Sequence, residues 1–223
     1  VDGFKEIGYL PEAVINFLAL LGWSPGDNKE LFSFDELVEA FSLERIGKSG
    51  VKFDINKAKW FNENYLRQKS NSELAALLKT DLDKNQITYN ESKLEQIVVE
   101  LKDRATFPQD LWNNGSYFFI RPLNYDEKVI QKKWNDNVAT ILQSFAENLK
   151  QISDYNAEKI KALFSKTVED SGMSFGNVMQ PLRVALTGAS SGSDLMIMME
   201  ILGTDEVQER ISLALKNIKP LKA

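Results

Sequence analysis

Apolar residues recur along this chain at the three- and four-residue spacing of amphipathic helices over nearly its whole length. Pro11, at a first-turn position, opens a predicted helix Pro11–Leu21 with Ala13, Phe17, Leu20 and Leu21 along one side, and Gly22 is expected to stop it. Ser33 to Glu36 has the form of a capping box, Ser first and Glu three later, ahead of Leu37, Val38 and Phe41. Ser70 to Glu73 repeats that form ahead of Leu74, Leu77 and Leu78. Asp54 reads as the cap of Ile55–Leu66, and Asn90 as the cap of a helix carrying Leu94, Ile97, Val98 and Leu101. Pro108 starts a short helix through Leu111 and Trp112 that Gly115 ends, and Asp126–Trp134 follows. Asp136–Ile152 bears the cleanest stripe: Val138, Ile141, Leu142, Phe145 and Leu149. Asn156 caps Ala157–Ser171, and Val178–Thr187, Asp194–Leu202 and Asp205–Ile218 complete the series. Gly172, Gly188 and Gly203 stand where a left-handed residue closes a helix. Strand signals are almost absent, since Asn114-Gly115 lies between helical patterns rather than alternating ones. The fold class expected is all-α.

Length and composition narrow the chemistry. The 223 residues suit one large or two small domains at about 150 residues each. With 43% hydrophobic and 26% charged residues, the chain carries enough apolar mass for a core. No apolar run exceeds Phe17 to Leu21, far short of the ~20 residues of a membrane span. No charged n-region followed by an apolar stretch opens the chain, so a cytoplasmic protein without membrane association is expected. The sequence has no Cys and no His. Thiolate nucleophiles, disulfides and Cys-bound metals are thereby excluded, and so are Ser-His-Asp, Cys-His and HExxH chemistry. Phosphoryl transfer and carboxylate- or Lys-based catalysis survive, with no constellation to support them.

Charge is uneven. Residues 1–42 hold eight acids and two bases, a net charge of −6. Residues 43–69 hold seven bases, Arg45 and Lys48 among them, and three acids, a net charge of +4. A basic stretch after an acidic one suggests a face that meets an anion, although a solvated Lys-rich helix face is the commoner case. Gly47-Lys48-Ser49 resembles a phosphate-loop ending, but Ser42 stands where such a loop needs its first Gly. Asp81 to Asn85 opens like a calcium loop, but Gln86 and Ser92 occupy the positions that need Gly and Glu. Trp60, Phe61 and Tyr65, and Tyr117 to Phe119, could stack on unpaired bases. Rings at helical spacing are more often core, the place expected for Phe61 and Phe118. Arg104, Arg121 and Arg183 lie in apolar neighbourhoods. Each is either a donor fork for base edges and phosphates or half of an interhelix salt bridge.

Two blocks at opposite ends carry a family resemblance. Gly8 to Ala13, continuing through Asn16 to Pro25, resembles the segment after the catalytic core of bacterial-type glutamyl-tRNA synthetases. Leu31 to Ser33, Phe41 to Ile46, Phe53-Asp54 and Lys59 to Asn62 continue the likeness. Pro181-Leu182-Arg183-Val184-Ala185-Leu186-Thr187-Gly188, then Leu202-Gly203, is similar to the C-terminal signature of the same family. The resemblance implies a helical stem-contact domain over residues 1–66. An α-helical-cage anticodon-binding region would follow in two subdomains, 67–152 and 153–223. The family's His-Ile-Gly-His-like and Lys-Met-Ser-Lys-like motifs are not in this sequence, and the chain is expected to begin just after the second. The implied role is tRNA binding without chemistry, with no cofactor in this chain. ATP and Mg²⁺ would serve the complete enzyme, and glutamate tRNA and the enzyme's own catalytic core would be the partners.

By resemblance, Arg183 contacts the anticodon and Arg104 matches the Arg that reads its third base, a position that tends to be Gln in members that also charge glutamine tRNA. The loop after Gly188 occupies the place of the family's anticodon-contacting loop. It keeps Leu195 of a Thr-Pro-Gly-Leu form, while Gly192 and Ser193 fill the Thr and Pro positions. Arg45 and Lys48 are expected to add RNA contacts from the basic stretch. The competing expectation is an all-α scaffold that binds a protein through the acidic face of residues 1–42, with an exposed apolar patch around Phe4, Tyr9 and Leu10.

Overall fold

The computed structural model describes residues 3–47 and 52–219. Among the described residues it forms thirteen α-helices, short 3₁₀ turns and no strand beyond a single bridge between Trp23 and Ile46. None of these helices is long and apolar enough to cross a membrane. The chain gathers into two compact units, Val1–Asn114 and Gly115–Ala223. The boundaries expected near residues 66 and 152 fall inside these units.

The first unit holds α1 (Phe4–Ile7), α2 (Pro11–Gly22), α3 (Phe34–Ala40), α4 (Ile55–Gln68), α5 (Asn71–Lys84), α6 (Leu94–Leu101) and most of α7 (Asp110–Gly115). Both capping boxes form: the Ser33 and Ser70 hydroxyls accept the N–H of Glu36 and Glu73, whose carboxylates reach back to the serine N–H groups. Asp54 caps α4 as expected. α2 packs on α4 and α5 on α6, burying Phe17, Phe61, Leu66, Leu74, Leu78, Val98 and Leu101. Gly22 is not the stop that its type suggested. It is the last helical residue, and α2 ends because Trp23 turns extended to bury its ring against Phe32 and Leu37. Asn90 caps a 3₁₀ turn, Glu91–Lys93, that leads into α6.

The apolar patch expected around Phe4, Tyr9 and Leu10 is a correction. Tyr9 and Leu10 are buried, with the Tyr9 ring edge-on to Phe4 and Phe107 at 5.1 and 5.0 Å. Those contacts come from a helix missed in the sequence, α1, and from Phe107, far along the chain.

The second unit holds α8 (Glu127–Lys133), α9 (Asp136–Asn148), α10 (Ala157–Asp170), α11 (Phe175–Thr187), α12 (Leu195–Leu202) and α13 (Thr204–Asn217). α9 is shorter than expected, because its last turn, Leu149–Gln151, tightens to 3₁₀. α11 begins three residues early, at Phe175. α11 packs on α13 and α8, α9 on α13, and α10 on α9 and α12. Phe145, Phe164, Leu182, Leu186, Met198 and Ile211 fill the middle. Gly172, Gly188 and Gly203 all take positive φ, 73°, 78° and 85°, as their positions at helix ends suggested.

Candidate nucleic-acid interface

α11, the loop 189–194 and the first turn of α12 build the site. Arg183 sits on α11, one turn before Gly188 lets the chain leave in the left-handed region. Gly188 has little choice of residue: a Cβ there would stand 2.5 Å from the Asn124 carbonyl oxygen, and its own carbonyl accepts the Asp126 N–H at 2.8 Å. The Thr187 hydroxyl accepts the Ala189 N–H at 3.1 Å, which starts the loop. Asp126 caps α8, and its carboxyl is held below the usual aspartate range by the Ser190 hydroxyl first, then by the backbone N–H of Val129. Asp194 ends the loop by capping α12, accepting the N–H groups of Met196 and Ile197 at 2.8 and 3.1 Å.

The loop is also held from within. Arg183 Nη1 donates to the Ser193 carbonyl at 2.9 Å. The Tyr117 hydroxyl accepts the Ser193 N–H at 3.1 Å and pairs with Ser193 Oγ at 2.7 Å. Ser193 is only 3% exposed, so its side chain is turned into the protein. Gly192 suits this closeness: a Cβ there would lie 3.2 Å from Arg183 Nη1 and 3.4 Å from the Tyr117 hydroxyl, so the Arg183 fork would have to give by a few tenths of an ångström. Leu195 is buried as the first residue of α12. Arg183 itself is half-buried, at the wall of an open cavity of about 510 Å³ shared with Phe175, Met179, Glu158, Lys161 and Asp194. The cavity thus offers a guanidinium, an ammonium and exposed apolar surface beside a helix N-terminus, balanced by the carboxylates of Glu158 and of Asp194, the second of which is engaged in capping α12. That set suits a planar, polar-edged group carried on an anionic backbone.

The structure therefore joins Arg183, Gly192, Ser193 and Leu195. Arg104 and Arg45 lie on separate turns of the other unit. Arg104 is exposed at the end of the 3₁₀ turn Lys102–Arg104, and its guanidinium has no partner among the described residues. The Arg45 guanidinium hydrogen-bonds the Pro25 carbonyl and lies over Gly26, so it pins a turn. Lys48 lies outside the described residues. Phe61 and Phe118 are buried, as expected of core rings. Arg121 takes the salt-bridge alternative, with Nη2 2.7 Å from Glu206 and Nη1 3.5 Å from Glu209.

Arg210 was not anticipated. It is 2% exposed, with Nε on Glu206 at 2.7 Å and Nη1 on the carbonyls of Tyr117 and Leu186 at 2.6 and 2.8 Å. Its only trace in the sequence is the i, i+4 spacing from Glu206, next to the stripe of Val207, Ile211 and Ala214. Among the described residues no group of three or more Asp and Glu side chains is placed to hold a metal ion. Ser42 also stands where a nucleotide loop needs Gly.

Comparison with known proteins gives this site its context. Residues 72–215 match the family described as anticodon binding domain, and residues 1–60 match the one described as tRNA synthetases class I (E and Q), catalytic domain. The chain belongs to the anticodon binding domain family. It is 49% identical over 221 residues to the glutamate–tRNA ligase of Amoebophilus asiaticus, covering 99% of this chain and 43% of that protein. The glutamate–tRNA ligase of Cytophaga hutchinsonii is also 49% identical, over 96% of this chain and 41% of its own length. A crystal structure of a glutamate tRNA ligase from Elizabethkingia meningosepticum, in complex with its amino acid, superposes with a TM-score of 0.92 at 40% identity. That match covers 97% of this chain and 43% of the solved one. The chain thus spans less than half the length of the relatives it matches.

Proposed function

We propose that this chain is the tRNA-binding, anticodon-recognising part of a glutamate–tRNA ligase and performs no chemistry by itself. The observation that carries the reading is Arg183, fixed on the Ser193 carbonyl at the wall of an open cavity inside the region that matches an anticodon binding domain. A guanidinium whose position is set before the ligand arrives can donate to a base edge without first losing much rotamer freedom. In this reading residues 1–66 contact the tRNA stem and dock on the catalytic core, and 67–152 and 153–223 are two subdomains of the anticodon-binding region. Arg104 supplies a second base contact, and Arg45 and Lys48 supply phosphate contacts. Leu195 and the main chain of Gly192 and Ser193 shape the loop against the RNA. The complete enzyme would use ATP and Mg²⁺ to attach glutamate to the tRNA 3′ end, in the cytoplasm.

The test is titration of the chain with glutamate tRNA and with tRNAs that differ only in the anticodon. Binding should weaken as salt rises, because phosphate contacts release counterions. Arg183→Ala should remove about 1–3 kcal/mol of anticodon-dependent discrimination. Equal binding of all the tRNAs by the unaltered chain would refute the reading.

A further inference from the structure

We infer that Tyr117 and Arg210 are positioning residues for the anticodon-reading loop, linked in one relay from Glu206 through Arg210 and Tyr117 to Ser193 and Arg183. This rests on the tRNA-binding reading above and deepens it. Every link lies within the second unit. The Arg210 guanidinium is buried, with Glu206 on its Nε and two main-chain carbonyls on its Nη1. One of those carbonyls belongs to Leu186, in the last turn of α11, and the other to Tyr117. A single rigid fork therefore fixes the distance between the end of the helix that carries Arg183 and the turn that carries Tyr117.

Tyr117 transmits that position through its other end. Its hydroxyl engages both the N–H and the Oγ of Ser193, while the Ser193 carbonyl receives Arg183. Ser193 thus has its amide, hydroxyl and carbonyl all committed. It sits beside Gly192, whose missing side chain lets the Tyr117 hydroxyl and the Arg183 fork come this close. Neither Tyr117 nor Arg210 need touch RNA. Loosening either one lets the loop, with the Arg183 fork bonded to it, shift relative to the turn that carries Tyr117 and the end of α11, which costs selectivity for the base more than it costs attraction to phosphate.

The experiment uses the full chain and four proteins: unaltered, Tyr117→Phe, Arg210→Lys and the double variant. Each is titrated with glutamate tRNA and with anticodon-substituted tRNAs at several salt concentrations. Tyr117→Phe keeps the ring and removes one hydroxyl, so circular dichroism should report an unchanged helical fold. Discrimination between anticodons should fall about five- to tenfold, the worth of roughly one hydrogen bond. The salt slope should not change, because no phosphate contact is lost. Arg210→Lys keeps the charge but cannot bridge two carbonyls and a carboxylate in one plane, and should show the same loss. Because both act through one relay, the double variant should lose little more than either single one. Full discrimination in Tyr117→Phe, or additive losses in the double variant, would overturn the relay while leaving the tRNA-binding reading intact. Failure of the unaltered chain to discriminate would overturn that reading instead. Should Arg210→Lys unfold, the Tyr117→Phe result alone decides.

Discussion

Asn62 and Leu10, 52 residues apart, are joined inside the first unit: Asn62 Oδ1 accepts the Leu10 N–H at 2.7 Å. The same carboxamide donates from Nδ2 to the Thr106 carbonyl at 2.6 Å, and the residue is 0% exposed. One side chain thus ties the segment before α2 and the segment before α7 to the middle of α4. Asn62→Ala removes both bonds and strands a buried main-chain donor, and should cost about 2–4 kcal/mol. A urea midpoint that falls with an unchanged m-value is the expected outcome. A shift below about 0.5 kcal/mol would show that the bridge carries no weight.

Three glycines should answer differently to the same substitution. Gly188→Ala adds a Cβ 2.5 Å from the Asn124 carbonyl oxygen at a φ of 78°, so main chain must move, and the loss should exceed about 2 kcal/mol. Gly172→Ala meets nothing within 4 Å at a φ of 73°, so it should cost only the left-handed strain, about 1–2 kcal/mol. Gly22→Ala meets nothing and sits in α2, so it should raise stability by about 0.5 kcal/mol. Thermal midpoints in any other order would contradict this account.

Glu206 gives the second unit an acid-sensitive point. Burial opposes its charge, yet the hydrogen bonds from Arg121 and Arg210 outweigh burial and hold its carboxyl below the ordinary glutamate value. A depressed folded pKa means that the unfolded chain binds the proton more readily. The stabilisation is therefore complete above the unfolded value of about 4.3 and drains away as the pH falls through the lower folded value. Glu206→Gln should lower stability at neutral pH by about 1–3 kcal/mol and flatten the acid limb. Unfolding midpoints for the two proteins should converge as pH is lowered from about 7 to about 3, and parallel curves would count against the assignment.

Helix caps provide an internal control. Ser70→Ala breaks a formed capping box and should cost about 1 kcal/mol. Ser174 precedes α11 in the same way but makes no side-chain cap bond, so Ser174→Ala should change stability by less than about 0.5 kcal/mol. Chemical denaturation of the two variants side by side checks the contrast.

Much of this was written locally. Ser33, Ser70, Asp54 and Asn156 announce helix starts because a cap is a bond between residues two or three apart. Gly172, Gly188 and Gly203 announce ends because only the backbone matters there. Gly22 misled for the opposite reason: α2 ends by burying Trp23 against Phe32, a contact that no local spacing records. The candidate site divides in the same way. Arg183 and the loop after Gly188 stood out within a short motif. Tyr117 and Arg210 did not, because the bonds that give them meaning run across 76 and 93 residues. On sequence alone, Arg210 belongs to the ordinary charged face of a helix.

The buried arginine also sets an order of assembly. Arg210 lies 93 residues after Tyr117 and 24 after Leu186, so both of those carbonyls emerge from the ribosome long before the cation that satisfies them. A nascent chain halted before residue 210 has the loop-bearing segments but not the keystone, and should stay open to proteases until α13 is delivered. α13, which brings Arg210 to the Tyr117 and Leu186 carbonyls, is the helix that locks the bundle.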